Sequence, residues 1–218
     1  MGAVRALLRI AGIRRLLGAW FGAVSAEYGA LVAISVYAFS QGGARAVALF
    51  GVLRILPALL LTPVVTSMAD RVARERLLLW ATVVRAVALA LVCAAILTHL
   101  PLLVVLVLAG VESAFLGIHR PAQNALLPWL ARTPEELTAA NVLSSLLEGI
   151  AVFVGPALVG LVLAVSGPGA AVAVMTALMV GAVGALARLH VAGQQPPPAA
   201  SSGPVRRVVD DLLDGLRV

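Results

Sequence analysis

The sequence predicts an all-α, polytopic membrane protein with six transmembrane helices. Two features predict it. Six apolar runs, each long enough to cross a bilayer, follow one another along the chain, and the basic residues cluster at alternate joints between them. Of the 218 residues, 61% are hydrophobic and 12% are charged, against roughly 45–50% and 25% in a soluble domain. A soluble chain of that make-up would present apolar surface to water, so lipid is the solvent this sequence suits.

A hydrocarbon core of about 30 Å needs about 20 apolar residues in a helix. The runs that meet this lie near 16–40, 46–68, 77–98, 101–120, 139–166 and 169–190, and they define a bundle over residues 1–192. The first run is too long for the apolar stretch of a secretory leader, and another spanning run follows it almost at once. Turn residues mark the joints. Gln41-Gly42-Gly43 closes the first run, His99-Leu100-Pro101 divides the third from the fourth, and Ser166-Gly167-Pro168-Gly169 divides the fifth from the sixth. Such short joints make consecutive helices antiparallel neighbours. Before the fifth run, Thr133 suits an N-cap, Pro134 the first helical position and Glu136 a capping box.

All 16 basic residues are arginine, and the net charge is +6. A basic chain often signals nucleic acid, but these arginines form no single patch. Arg5, Arg9, Arg14 and Arg15 precede the first run. Arg71, Arg74 and Arg76 follow the second, Arg132 follows the fourth, and Arg188, Arg206, Arg207 and Arg217 follow the sixth. The other set of joints holds only Arg45. The positive-inside rule then places both termini in the cytoplasm.

Residues 193–204 are rich in Pro, Ser and Gly and read as a flexible linker. Residues 205–218 carry Val205, Val208, Val209, Leu212, Leu213 and Leu216 at helical spacing and read as an amphipathic helix at the membrane surface. Cys93 is the one cysteine, so no intrachain disulfide is expected. His99, His119 and His190 lie far apart and read as helix-end residues rather than metal ligands. No cofactor is expected. No nucleophile–base pair, HExxH motif or phosphate-binding loop is present, which argues against an enzyme.

Ionisable groups at membrane depth are costly and usually functional. Glu27, Arg54, Arg85, Glu112 and Glu148 all lie inside the runs. Counted from the cytoplasmic side, Glu27 and Arg54 are roughly 18 Å deep and the other three roughly 12–14 Å. Two ion pairs among them leave one carboxylate over. Glu27 and then Glu112 are the candidates for a proton carrier or a counter-charge to a cationic substrate, with Arg54 beside them. Arg85 and Glu148 share a depth and are expected to form a structural ion pair.

The loop Thr66-Ser-Met-Ala-Asp70-Arg71-Val-Ala-Arg74-Glu-Arg76 resembles the signature loop of the major facilitator superfamily, Gly-x-x-x-Asp-Arg-x-Gly-Arg-Arg/Lys. Asp70, Arg71 and Arg74 match it. Thr66 and Ala73 replace glycines, and Glu75 stands where a basic residue is usual. Gly155-Pro156, with Gly160, resembles the antiporter motif Gly-Pro-x-x-Gly-Gly of that superfamily, Val159 replacing one glycine. Residues 120–128 and 133–141 are similar to the fourth-to-fifth connection of its bacterial macrolide and siderophore exporters.

The resemblance implies one six-helix half of a major facilitator fold. It implies a cytoplasmic gating loop built on Asp70, Arg71 and Arg74, with Arg120 near it, and a helix kink at Gly155, Pro156 and Gly160. It also implies proton-coupled efflux of amphipathic small molecules across the bacterial plasma membrane by alternating access. A second six-helix half would then be required as partner, as a further C-terminal portion, a split partner or a second copy. The competing expectation is a membrane-anchored interaction or regulatory domain without transport.

Overall fold

A computed structural model describes residues 10–69 and 73–189. The linker expected at 193–204, the amphipathic helix expected at 205–218 and His190 lie outside the described residues. Those residues form helices α1 (Ala11–Ala69), α2 (Arg74–Leu97), α3 (Leu102–Ala114), α4 (Leu116–Leu130), α5 (Pro134–Val165) and α6 (Pro168–Ala187). The all-α class holds. Five helical segments among the described residues are long and apolar enough to cross a membrane, α3 and α4 together making one of them.

The count of five against an expected six comes from α1. It runs for 59 residues, but Gly43 in its interior has φ 62° and ψ −154°. Only glycine adopts that backbone region without strain. The chain reverses there. Glu27 and Arg54 would stand about 40 Å apart along a straight helix at 1.5 Å per residue, yet their side chains meet at 3.7 Å. The arms 11–42 and 44–69 therefore lie side by side, and the turn sits where Gln41-Gly42-Gly43 marks a joint.

The other joints follow capping chemistry. α2 ends in a Schellman arrangement, in which the Leu100 amide donates to the Ala95 carbonyl and the His99 amide to the Ile96 carbonyl. His99 takes the left-handed position at φ 54° where glycine is usual, and Pro101 forbids continuation. At the start of α5 the Glu136 amide donates to the Thr133 hydroxyl at 3.2 Å, and Glu136 accepts from the Arg132 amide at 2.8 Å. Gly167, at φ 85°, precedes Pro168 at the head of α6. The fourth apolar run ends near 120, but α4 continues to Leu130 through Pro121 and Pro128.

The joints gather at two ends. At one, Gly12 lies against Leu130 and Leu189, and Arg15 donates to the Arg188 carbonyl. At the other, Gly42 lies against Leu102 and Gly169 against Leu97. Among the described arginines at joints, Arg14, Arg15, Arg74, Arg76, Arg132 and Arg188 belong to the first end and Arg45 to the second.

The first arm of α1 is buried on nearly all sides, and Ile13, Leu17, Trp20, Val24, Ala30 and Ile34 pack into the bundle. Small residues let the backbones close in. A Cβ on Gly29 would strike Met175 of α6, and one on Gly110 of α3 would lie 2.6 Å from the Leu53 carbonyl oxygen. By contrast α5 turns much apolar surface outward, with Phe153 at 77% and Val165 at 83% exposure. Lipid or an apolar partner suits such a face, and water does not.

Gly43→Ala is expected to destabilise the fold by about 1–3 kcal/mol, the usual cost of holding a side chain in that backbone region. Gly184→Ala, at a helical site where an added Cβ meets nothing within 4 Å, is expected to be neutral or to stabilise by up to about 1 kcal/mol. Thermal unfolding of the two purified variants in detergent checks this. A Gly43→Ala midpoint equal to wild type would contradict the turn described here.

Candidate functional site

Arg85, in α2, has a side chain only 1% exposed. A charged group so placed must be surrounded by acceptors, because its loss of hydration is otherwise prohibitive. Three other helical segments supply them. From α3, Glu112 Oε1 accepts from Arg85 Nε at 2.9 Å and lies 2.8 Å from Nη2. From the first arm of α1, Glu27 Oε2 accepts from Nη2 at 3.2 Å. From α4, His119 Nδ1 lies 3.3 Å from Nη1. His119 is buried and receives the ring of Trp20 at 5.6 Å between centroids.

Two further arginines complete the cluster. Arg54, on the second arm of α1, reaches the other oxygen of Glu27 at 3.7 Å. Arg120, in α4, forms an ion pair with Glu148 of α5. The expected pair between Arg85 and Glu148 is therefore corrected. Equal depth fixes position along the membrane normal only. The helix faces decide the rest, and α2 turns Arg85 toward α1, α3 and α4. The expectation of a leftover carboxylate also falls, because Arg120 joins Arg54 and Arg85 to balance Glu27, Glu112 and Glu148. Arg120 joins this cluster through Glu148.

The carboxylates are not equivalent. Glu112 is held by two nitrogens of a fully buried arginine. Glu27 makes longer contacts to two arginines, and its side chain is 20% exposed. Glu27 also faces a small cavity of about 80 Å³, whose wall includes Trp20, Tyr28, His119, Arg120 and Glu148. On the far side of the Glu27–Arg54 contact lies a larger, mostly apolar cavity of about 460 Å³, lined by Leu31, Ser35, Phe50, Gly51 and Arg54 among others. Leu116 lines both cavities. A volume of a few hundred Å³ with one charged group suits a small organic molecule.

Gly155 serves this arrangement indirectly. A Cβ there would collide with the Ser25 carbonyl oxygen and lie 2.9 Å from the Gly29 amide, so α5 and α1 touch backbone to backbone on both sides of Glu27. α5 continues through Pro156. Gly160 lies on an outward face, where an added Cβ meets nothing within 4 Å. The motif thus divides into a contact glycine and an open one. Of the expected gating loop, Asp70 and Arg71 lie outside the described residues, and Arg74 is exposed at the first turn of α2.

His119 and Trp20 escaped the sequence reading, which placed His119 at a helix end. A usable signal existed. Trp20 and Glu27 are seven residues apart, as are Glu112 and His119, and that spacing keeps each pair near one helix face. Among the described residues no cluster of His, Cys, Asp or Glu is built to hold a metal ion.

Residues 3–218 match the family described as transmembrane secretion effector, within the major facilitator superfamily. No curated protein matches the chain significantly.

Arg85→Met is expected to destabilise the bundle strongly, by about 3–5 kcal/mol, because Glu112 is left buried without its counter-ion. Arg120→Gln, at a side chain 62% exposed, is expected to cost about 1 kcal/mol or less. Gly155→Ala is expected to lose about 1–3 kcal/mol by overpacking against α1, while Gly160→Ala is tolerated. Thermal melts of the four variants test the ranking, and equal losses at Gly155 and Gly160 would refute the packing described.

Proposed function

We propose that this chain, which belongs to the transmembrane secretion effector family of the major facilitator superfamily, is one wall of a proton-coupled exporter of amphipathic small molecules. Membership makes it a multi-pass membrane transporter. The direction, the coupling ion and the pairing with a second six-helix half are the proposal. One observation carries it. Glu27 is a partly exposed carboxylate shared by Arg54 and Arg85, and it stands between a small polar cavity and a larger apolar one.

That position suits a carrier whose charge state is read by the substrate site. Ionised, Glu27 holds Arg54 on the wall of the larger cavity. Protonated, it releases Arg54, and that cavity gains an unpaired positive charge. A cationic guest is then repelled, so binding of a proton and binding of substrate are opposed through one side chain. Alternating access would expose the site to each face in turn, by rocking of two halves about a site near the midplane. The backbone contact of Gly155 with α1 supports this, since it ties α5 to the helix that carries Glu27. The loop of Asp70, Arg71 and Arg74 is proposed as the cytoplasmic latch.

The crowding of arginines at one end of the bundle supports a cytoplasmic location for that end and for both termini in the bacterial plasma membrane.

The test uses cells expressing this protein, loaded with a fluorescent cationic dye. Efflux is followed with and without a proton uncoupler. Wild type is expected to show uncoupler-sensitive efflux, and Glu27→Gln at matched expression is expected to lose it. Efflux unaltered by that substitution would remove Glu27 from the proton path.

A further inference from the structure

Glu148 is not consumed by the cluster around Arg85. Its one described charge partner, Arg120, is largely exposed and needs no carboxylate to remain ionised. Glu148 instead lines the same small cavity as Glu27. The indole Nε1 of Trp20, another residue on that wall, is buried and finds no acceptor in the protein. A buried N–H left unpaired costs about 1–3 kcal/mol, and such groups ordinarily donate to water held in an adjoining polar space. The cavity, at about 80 Å³, has room for water, a single molecule needing about 10–15 Å³ of such space. Its wall includes Glu27, Glu148, Arg120 and Tyr28, so a water there has polar residues on several sides.

We infer that Glu148 is a second carboxylate of the proton path, joined to Glu27 through water held in this cavity and anchored by Trp20. This rests on the reading of Glu27 as proton carrier. The step balances without any further reactant. The O–H bond of protonated Glu27 breaks and its proton passes to a cavity water. That water passes a proton to a Glu148 carboxylate oxygen, and the water is regenerated. Glu27 regains its negative charge and its contacts with Arg85 and Arg54. Glu148 becomes neutral, and Arg120 turns to solvent. Glu148 then releases the proton toward the end of the bundle where α4 meets the N-terminus of α5.

The charged and titratable groups around Glu148 are Arg120 and His119 from α4, Glu27 and Tyr28 from α1, and Arg85 from α2. The relay thus passes between two carboxylates that each lie against arginine, Glu27 beside Arg54 and Arg85 and Glu148 beside Arg120.

The relay is separable from a purely structural pair. In the dye assay across a range of external pH, Glu148→Gln is expected to slow uncoupler-sensitive efflux by on the order of a hundredfold, as loss of a proton-transferring group does. Glu148→Asp, which keeps a carboxylate, is expected to retain most of it. The double variant Arg120→Gln/Glu148→Gln is expected to stay slow. Trp20→Phe keeps the ring beside His119, removes the N–H and is expected to slow efflux by about tenfold or less. Efflux restored by the double variant would reduce Glu148 to a counter-ion and overturn the relay. So would full activity in Glu148→Gln. Either result alongside an inactive Glu27→Gln leaves the proposed function standing, whereas full activity in both single Gln variants removes that function as well.

Discussion

A guanidinium group with almost no access to solvent sets the terms for this bundle. Arg85 cannot shed its charge, and five N–H donors radiate from it in a plane. Wherever α2 lies, acceptors must converge on that plane. Glu27, Glu112 and His119 do so from three other segments. The hydrophobic effect gives little help in choosing among helix arrangements when the solvent is lipid. A buried charge with directional contacts is what distinguishes one rotation of a smooth apolar helix from the next. The first arm of α1, α3 and α4 therefore inherit their azimuths from one side chain of α2.

From that centre the charges grade outward. Glu112 is tightly held, Glu27 is shared and partly open, and Arg54 stands on the wall of the larger cavity. Arg120 and Glu148 form a second pair, with Arg120 largely exposed. The most buried groups are the most tightly paired, and the partly exposed ones lie where space adjoins them. Around this network α5 and α1 meet through bare backbone at Gly155, Ser25 and Gly29.

Much of the fold was legible in the sequence. Apolar runs and their joints sufficed because lipid enforces helices of nearly fixed length, and Gly43 marked a turn that hydropathy alone would have run through. The site was legible in composition and illegible in pairing. Depth along the membrane normal was countable from residue number, so Glu27, Arg54, Arg85, Glu112 and Glu148 were found as a band. Which of them meet depends on helix rotation and neighbour order, and one sequence without contacts carries little of either. Arg85 was thus assigned to Glu148 by depth, when Glu112 and Glu27 face it. His119 was passed over because histidine near a helix end is ordinary. Only its seven-residue spacing from Glu112 hinted otherwise, and α4 had first to be seen to run on to Leu130.

The reversal at Gly43 has a mechanical side. Two arms joined by so short a turn cannot slide past each other by a helical turn, because no slack exists to accommodate the travel. They can only splay about the turn like the blades of shears. Glu27 lies 16 residues from that pivot by position in the chain, a lever of about 24 Å at 1.5 Å per residue. A rotation of about 5° there displaces the carboxylate by about 2 Å, enough to part it from Arg54. The opening angle of one glycine turn is thereby magnified into the making or breaking of a contact deep in the membrane.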